Sequence, residues 1–314
     1  MTNQIANDII MVESGVYKKD WRERRGETMR KKFLTVSLIV FSMLLFGCNH
    51  NAANSEVVYS GAENEAESEK VSEEVSDKMI TIIIGEYDDD QKETYFPVTG
   101  LYTGRLYDGI PDGYGSFTAE TENGTSYTYT GNFEKGRMNG QGKTIWENLD
   151  YIEEGTYTQG LYTPTRAEMI CSYGKAGRGY GTFDVSQDSM DFITEHESIF
   201  PTSSESEAVQ FVNGESEVRK LKKTTSGFDT SFIYLENTTV IQVFEVNYGG
   251  YTITELLVED YNGDIISVYY PDKIDYYEDD VISKIYALPL ANASFENVSG
   301  GTTLCVAMFG SYIS

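Results

Sequence analysis

Side chains able to do chemistry are spread thinly along this chain, and few stand at spacings that chemistry uses. Catalysis needs a placed nucleophile, acid, base or metal, yet there is no Gly-x-Ser-x-Gly elbow, no Walker loop and no Cys/His pairing. Gly174–Gly179 (GKAGRG) has the glycines of a phosphate loop but lacks its terminal Lys-Ser/Thr. His196 lies between Glu195 and Glu197 with no second histidine nearby, so it reads as an exposed polar loop. Asp88-Asp89-Asp90 reads as a turn, because partner ligands at a recognisable spacing are missing. In Asp260-Tyr-Asn262-Gly-Asp264 the glycine is fourth and no glutamate closes the motif, which is not a calcium loop. Paired carboxylates can hydrolyse a glycan, but among 50 acidic residues a pair at suitable spacing carries no information. The expectation is a non-catalytic protein with no metal and no cofactor. Cys171 and Cys305 are far apart and form no CxxC, so neither a disulfide framework nor a zinc knuckle is indicated. A single bridge between them stays open outside the cytoplasm, against a reading of Cys305 as core of an apolar strand.

The cysteine with a chemical context is Cys48. Arg30, Lys31 and Lys32 precede an uncharged apolar run, Phe33–Phe46, which ends in Leu45-Phe46-Gly47-Cys48. That run is too short to anchor by spanning, which takes ~20 apolar residues, but it fits the ~7–15 residues of a secretory h-region. The stretch resembles a bacterial lipoprotein signal, with a small residue directly before the cysteine. The resemblance implies cleavage between Gly47 and Cys48, a diacylglyceryl group on the Cys48 sulfur and usually a third acyl chain on the new N-terminus. At ~0.8 kcal/mol per buried methylene, two or more chains give stable anchoring. The expected location is therefore the cell envelope, lipid-anchored on the extracytoplasmic face of a membrane. Residues 29–48 are then the signal peptide. Residues 1–28 are expected to be a mis-called start, since Arg24-Arg25-Gly26-Glu27 before Met29 can be encoded by purine-rich, ribosome-binding codons.

Beyond residue 48 the chain carries 16 basic and 45 acidic side chains, a surface that repels phosphate backbones and anionic headgroups. Residues 49–78 are rich in Asn, Ala, Ser and Glu, with too little apolar surface to offset ordering, and read as a disordered acidic tether. An acidic helix from Glu63 to Lys78 would serve the same purpose. Order is expected from the β-branched run starting at Met79. With 24 tyrosines, 29 glycines and six prolines, the fold class is mostly β.

The strongest fold signal is a repeat. Tyr102-Thr-Gly104, Gly109, Gly113-Tyr-Gly115 is echoed by Tyr129-Thr-Gly131, Gly136, Gly140-Gln-Gly142, with glycines at the same four offsets from tyrosine. A decayed copy runs from Ile152 to Gly160, and Gly177–Phe183 repeats a second half. Asp108-Gly109 and Lys135-Gly136 supply positive-φ hairpin turns, while Gly113/Gly115 and Gly140/Gly142 are expected to let stacked hairpins approach closely. Tyr102, Leu106, Phe117, Tyr129, Phe133 and Ile145 would form an aromatic seam. The pattern resembles the MORN repeat, which implies a stacked β-hairpin array over residues 79–185, serving as an elongated platform for proteins or membranes.

Residues 186–227 break the pattern and read as a linker with short helices, Val218 and Leu221 facing inward. Residues 228–314 read as five strands with a hairpin turn at Asn262-Gly263, and their order after a helical lead-in is similar to a five-stranded OB-like barrel. Such a barrel usually offers an open sheet face to a ligand. Only Lys273 and Lys284 are basic in this segment, against thirteen acidic residues, so nucleic acid is excluded as a partner. A protein strand paired along an edge, a glycan stacked on Tyr269, Tyr270 or Tyr276, and no ligand at all remain open. The function expected is a membrane-anchored scaffold or binding module with a protein or cell-wall partner; the alternative is a glycan-binding or glycan-hydrolysing surface protein.

Overall fold

A computed structural model describes residues 71–314 except 89, 122–123, 148–150, 214–217 and 298. Gly47, Cys48, the signal segment and the tether up to residue 70 lie outside the described residues. The first half is a curled antiparallel sheet of seven strands in chain order: β1 (Ser72–Tyr87), β2 (Glu93–Tyr107), β3 (Ile110–Glu120), β4 (Ser126–Glu134), β5 (Arg137–Trp146), β6 (Tyr151–Thr158) and β7 (Leu161–Tyr162). Strand β1 starts at Ser72, seven residues before the expected Met79, because Ser72–Val75 continue the ladder with β2 past a bulge. At the β1–β2 turn the Asp88 carboxylate accepts from the backbone N–H groups of Asp90 (3.0 Å) and Lys92 (2.8 Å), the turn role expected for it.

Three hairpins close on paired positive-φ residues, Asp108-Gly109, Lys135-Gly136 and Gln159-Gly160. This is the turn geometry whose twist matches that of the strands it joins. Each turn also donates a backbone hydrogen bond to the stretch before it: Asp108 to Val71 (3.0 Å), Gly136 to Pro111 (2.9 Å) and Gly160 to Met138 (2.8 Å). Every hairpin is thereby laid on its predecessor.

Across the strands, Gly104, Gly115, Gly131, Gly142 and Gly155 are successive register partners and form one row. The tyrosine two residues before Gly104 or Gly131 lays its ring over this row. A Cβ on Gly115 would lie 2.7 Å from the Tyr102 hydroxyl, and one on Gly142 would collide with the Tyr129 ring. The hydroxyls then donate to the carbonyls of Arg105 and Asn132, each at 2.9 Å. The close approach is thus largely ring on backbone, and Gly113 and Gly140 take no part in it. With φ +87°, they are the middle residues of two bulges in which three residues face one of the neighbouring strand.

The seam holds for Tyr102, Leu106, Phe117, Tyr129 and Phe133, all buried, with Phe133 meeting both tyrosines edge-on at 5.1–5.2 Å. Such pairs add ~0.5–1.5 kcal/mol beyond area burial. Ile145 is corrected: it is 46% exposed on the other face. Thr144, two residues after Gly142 as Phe117 is after Gly115, takes the inward place.

The third repeat ends in helix α1 (Arg166–Lys175), closed by a capping box in which Thr165 and Glu168 bond each other's backbone N–H. The expected repeat fragment Gly177–Phe183 forms no strand; it wraps from α1 onto the second half of the molecule. Helices α2 (Gln187–Glu195), α3 (Glu205–Ala208) and α4 (Val218–Leu221) follow, and Val218 and Leu221 are buried as expected.

The second half is a closed barrel of β8 (Ile233–Tyr248), β9 (Tyr251–Glu259), β10 (Ile265–Tyr270), β11 (Val281–Glu296) and β12 (Thr302–Ile313), in the order β10-β12-β11-β8-β9. Only β10 and β12 pair in parallel. Strand β11 runs on through Pro289 because that proline falls at a register shift, where no ladder N–H is needed. Leu235, Val240, Leu256, Val258, Ile266 and Val268 fill the interior. Closure leaves the barrel no edge along which a partner strand could pair.

Candidate functional site

The outward face of β9, β10 and β12, which an isolated barrel would offer to a ligand, is covered by the chain itself. Glu255, Leu257, Ser267, Tyr269, Cys305 and Phe309 point away from the barrel interior and are all buried. The Phe183 ring lies 5.1 Å from that of Tyr269, and Phe200 stacks on Phe309 at 4.9 Å and 14°. Ser311 donates its hydroxyl to the carbonyl of Ile199 at 2.7 Å, and Thr202 N–H donates to the Ser311 carbonyl at 2.9 Å. The stretch from Tyr173 to Thr202 is a cap on the barrel. The acid beneath it, Glu255, is wholly buried and accepts from the Tyr173 hydroxyl of α1. Gly179 crosses so close that a Cβ there would meet the carboxylate.

This arrangement takes Tyr269 and Tyr270 out of the expected glycan-stacking set. Tyr269 is fully buried and Tyr270 nearly so, while Tyr276 packs partly buried against the core. Burial pushes the Tyr269 hydroxyl far above its ordinary range and that of Tyr270 to about 12, so both stay neutral. His196 is likewise no exposed loop. It ends α2 with its ring 4.7 Å from Phe192 and 4.8 Å from Phe211. Cys171 and Cys305 are both free and buried. Burial raises each thiol, Cys305 to about 11, which keeps them unreactive. Among the described residues no group of three His, Cys, Asp or Glu side chains is placed to hold a metal.

Of the repeat residues expected as structural, the two tyrosines and the glycines at Gly104, Gly115, Gly131 and Gly142 make the ring-on-backbone row, while Gly109 and Gly136 sit in the turns and Gly113 and Gly140 in the bulges. Tyr102 and Tyr129 are wholly buried, and their glycines lie beneath them. What the sheet presents outward comes from the alternate positions. Thr103, Ser116, Thr130, Lys143 and Glu154 form one register row, and Leu101, Thr118, Thr128 and Ile145 another. Charges here are paired: Arg105 with Asp112 at 2.7 Å, and Glu154 with both Lys143 and Lys175 at 3.2 Å. Partial burial works against the Glu154 charge, but the two ammonium groups outweigh it and hold the carboxyl below its usual range. Leu101, Ile145 and Tyr114 stand exposed on this face, Tyr114 by 70%. Between the end of α1, the segment that follows it and β11 of the barrel, Lys175, Thr182, Phe183, Asp184, Ala291 and Asn292 line an open, mostly polar cleft of about 510 Å³.

Sheet and barrel are joined without a break. Ring contacts lead from Tyr129 to Tyr157 (4.9 Å), Tyr162 (5.1 Å), Tyr248 of the barrel (5.9 Å), Tyr173 (5.3 Å) and Tyr269 (5.8 Å). Tyr248 also donates to the Ile152 carbonyl at 2.5 Å, and Tyr251 to that of Pro164 at 3.2 Å. Neither Glu255 nor the cap stands out in the sequence, since TITELLVE alternates no differently around a buried acid than around an exposed one. Comparison with protein-family models, with curated proteins and with solved structures gave no match to this chain.

Proposed function

We propose that this protein is a lipid-anchored, extracytoplasmic scaffold that binds a protein or cell-wall partner through the outward face of its repeat sheet and does no chemistry. The carrying observation is the cap. With the outward face of β9, β10 and β12 buried under residues 173–202, the broad surface left open is the outer side of the curled sheet. The glycine row under tyrosine rings supports a MORN-type reading of the array, and the strand order with its one parallel pair supports an OB-like reading of the barrel. In this reading the barrel and cap stiffen the platform, and acyl chains on Cys48 hold it at the membrane.

The test combines anchoring and surface. Labelled palmitate is expected to enter the wild-type chain, while Cys48→Ser should give unlabelled, uncleaved precursor. A photo-crosslinking side chain at Tyr114 should trap a discrete envelope adduct, and one at Tyr261 on the β9–β10 turn should not. Label retained by Cys48→Ser sinks the anchor, and adducts from Tyr261 alone sink the platform.

The glycan alternative keeps one support, the polar cleft beside Lys175, Asp184 and Asn292.

A further inference from the structure

Six buried tyrosines run from the sheet into the barrel, Tyr129, Tyr157, Tyr162, Tyr248, Tyr173 and Tyr269, each ring 4.9–5.9 Å from the next. Rings in such contact overlap enough for an electron vacancy to step along them. At its barrel end the row comes within one ring of solvent, because Tyr269 meets Phe183 at 5.1 Å and Phe183 lines the open cleft beside Lys175. A phenol that loses an electron becomes a strong acid, so the vacancy settles where the hydroxyl proton has a base to go to. The hydroxyls of Tyr129, Tyr162 and Tyr248 donate to the backbone carbonyls of Asn132, Glu154 and Ile152, which take no proton. That of Tyr157 is paired with the Thr144 hydroxyl, and that of Tyr269 accepts from the Tyr180 N–H. Tyr173 differs, because its hydroxyl donates to the Glu255 carboxylate, a general base already in contact. Both residues are wholly buried. A glutamine at 255 would accept the same hydrogen bond at a smaller cost of burial, so packing alone does not account for a carboxylate there. Burial also holds all six hydroxyls above their ordinary range, so none gives up its proton before its ring loses an electron.

We propose that Tyr173 and Glu255 are a redox-active pair that stores one oxidising equivalent inside the molecule. A diffusible one-electron oxidant takes an electron from the row, the Tyr173 O–H bond breaks, and the proton passes to the Glu255 carboxylate. The products are a neutral tyrosyl radical, a neutral carboxylic acid and the reduced oxidant. A one-electron reductant such as ascorbate refills the radical, and the proton returns from Glu255 to the phenolic oxygen. No substrate is turned over, since the chain itself is what is oxidised and reduced. Residues 173–202 cover the pair, which keeps a second radical from reaching it.

Flash oxidation of the full-length chain in mild detergent, with ruthenium tris-bipyridyl and persulfate, tests this. Electron paramagnetic resonance is expected to show a tyrosyl radical that lives at least tenfold longer than in Tyr173→Phe, which keeps the ring and loses the hydroxyl. Tyr261→Phe, at the exposed β9–β10 turn, should match the wild type. Infrared difference spectra of the wild type should gain the carbonyl stretch of a protonated carboxyl group as the radical forms, and Glu255→Gln should lack it. An equal lifetime in Tyr173→Phe with native circular dichroism overturns the proposal. So does a wild-type radical no longer-lived than that of free tyrosine, one that forms without the carboxylic-acid band, or one abolished by Tyr261→Phe. The infrared result on the wild type decides the matter even where a substitution disturbs folding.

Discussion

Tyr129 and Gly142 show what a single residue does in this array. The ring needs the absent side chain below it, and its hydroxyl is held in place by donating to the Asn132 carbonyl at 2.9 Å. Gly142→Val puts a β-branched side chain into the ring, and Gly131→Val puts one against both the ring and the facing strand. Each is expected to cost more than ~2 kcal/mol, read as a fall in denaturation midpoint with unchanged slope. Gly109→Ala meets no atom and should cost only the strain of its positive φ, so it serves as the comparison. An unchanged midpoint for Gly142→Val would mean that the ring can leave the glycine row at little cost.

At the scale of elements, the hairpins are legible because their signals are local: a turn pair with φ > 0, and glycines at fixed offsets from tyrosine. Ile145 is misplaced by one residue because the second copy has Thr144 where the first has Phe117, and a seam sought by hydrophobicity steps over a threonine. Helix α1 escapes notice although Thr165-Arg-Ala-Glu168 carries a capping-box pattern, because the glycines that follow look like a further repeat. That cap is expected to matter: Thr165→Ala should destabilise by ~1 kcal/mol, and Thr165→Ser by little. Equal stability of all three chains in denaturant titration would show that packing against β6 alone holds the helix. The cap over β9, β10 and β12 is not legible at all. Covering a barrel face is a long-range pairing of Phe200 with Phe309 or Tyr173 with Glu255, and no window of sequence contains both partners.

For the whole molecule, the tyrosine contacts from Tyr129 to Tyr269 and the bonds of Tyr248 and Tyr251 make sheet, helix and barrel one body. Thermal unfolding of the full chain is therefore expected as a single cooperative transition in calorimetry, with calorimetric and van't Hoff enthalpies in agreement. Two resolved transitions would show that the halves melt independently and that the ring contacts at Tyr248 carry little energy. A fragment of residues 228–314 is expected to associate, since removing the cap bares Tyr269, Cys305 and Phe309 together.

Strand β12 lies between β10 and β11 and also receives the cap through Phe309 and Ser311. This fixes a timetable for synthesis. The sheet can form hairpin by hairpin as the chain emerges, each turn finding the stretch it bonds already in place. Everything from Arg166 onward must wait for residues 302–313 before the barrel can close and the cap can seat. During that interval roughly the second half of the chain is unfinished, with its apolar segments made but unburied. A stop codon only a dozen residues early would leave it so permanently.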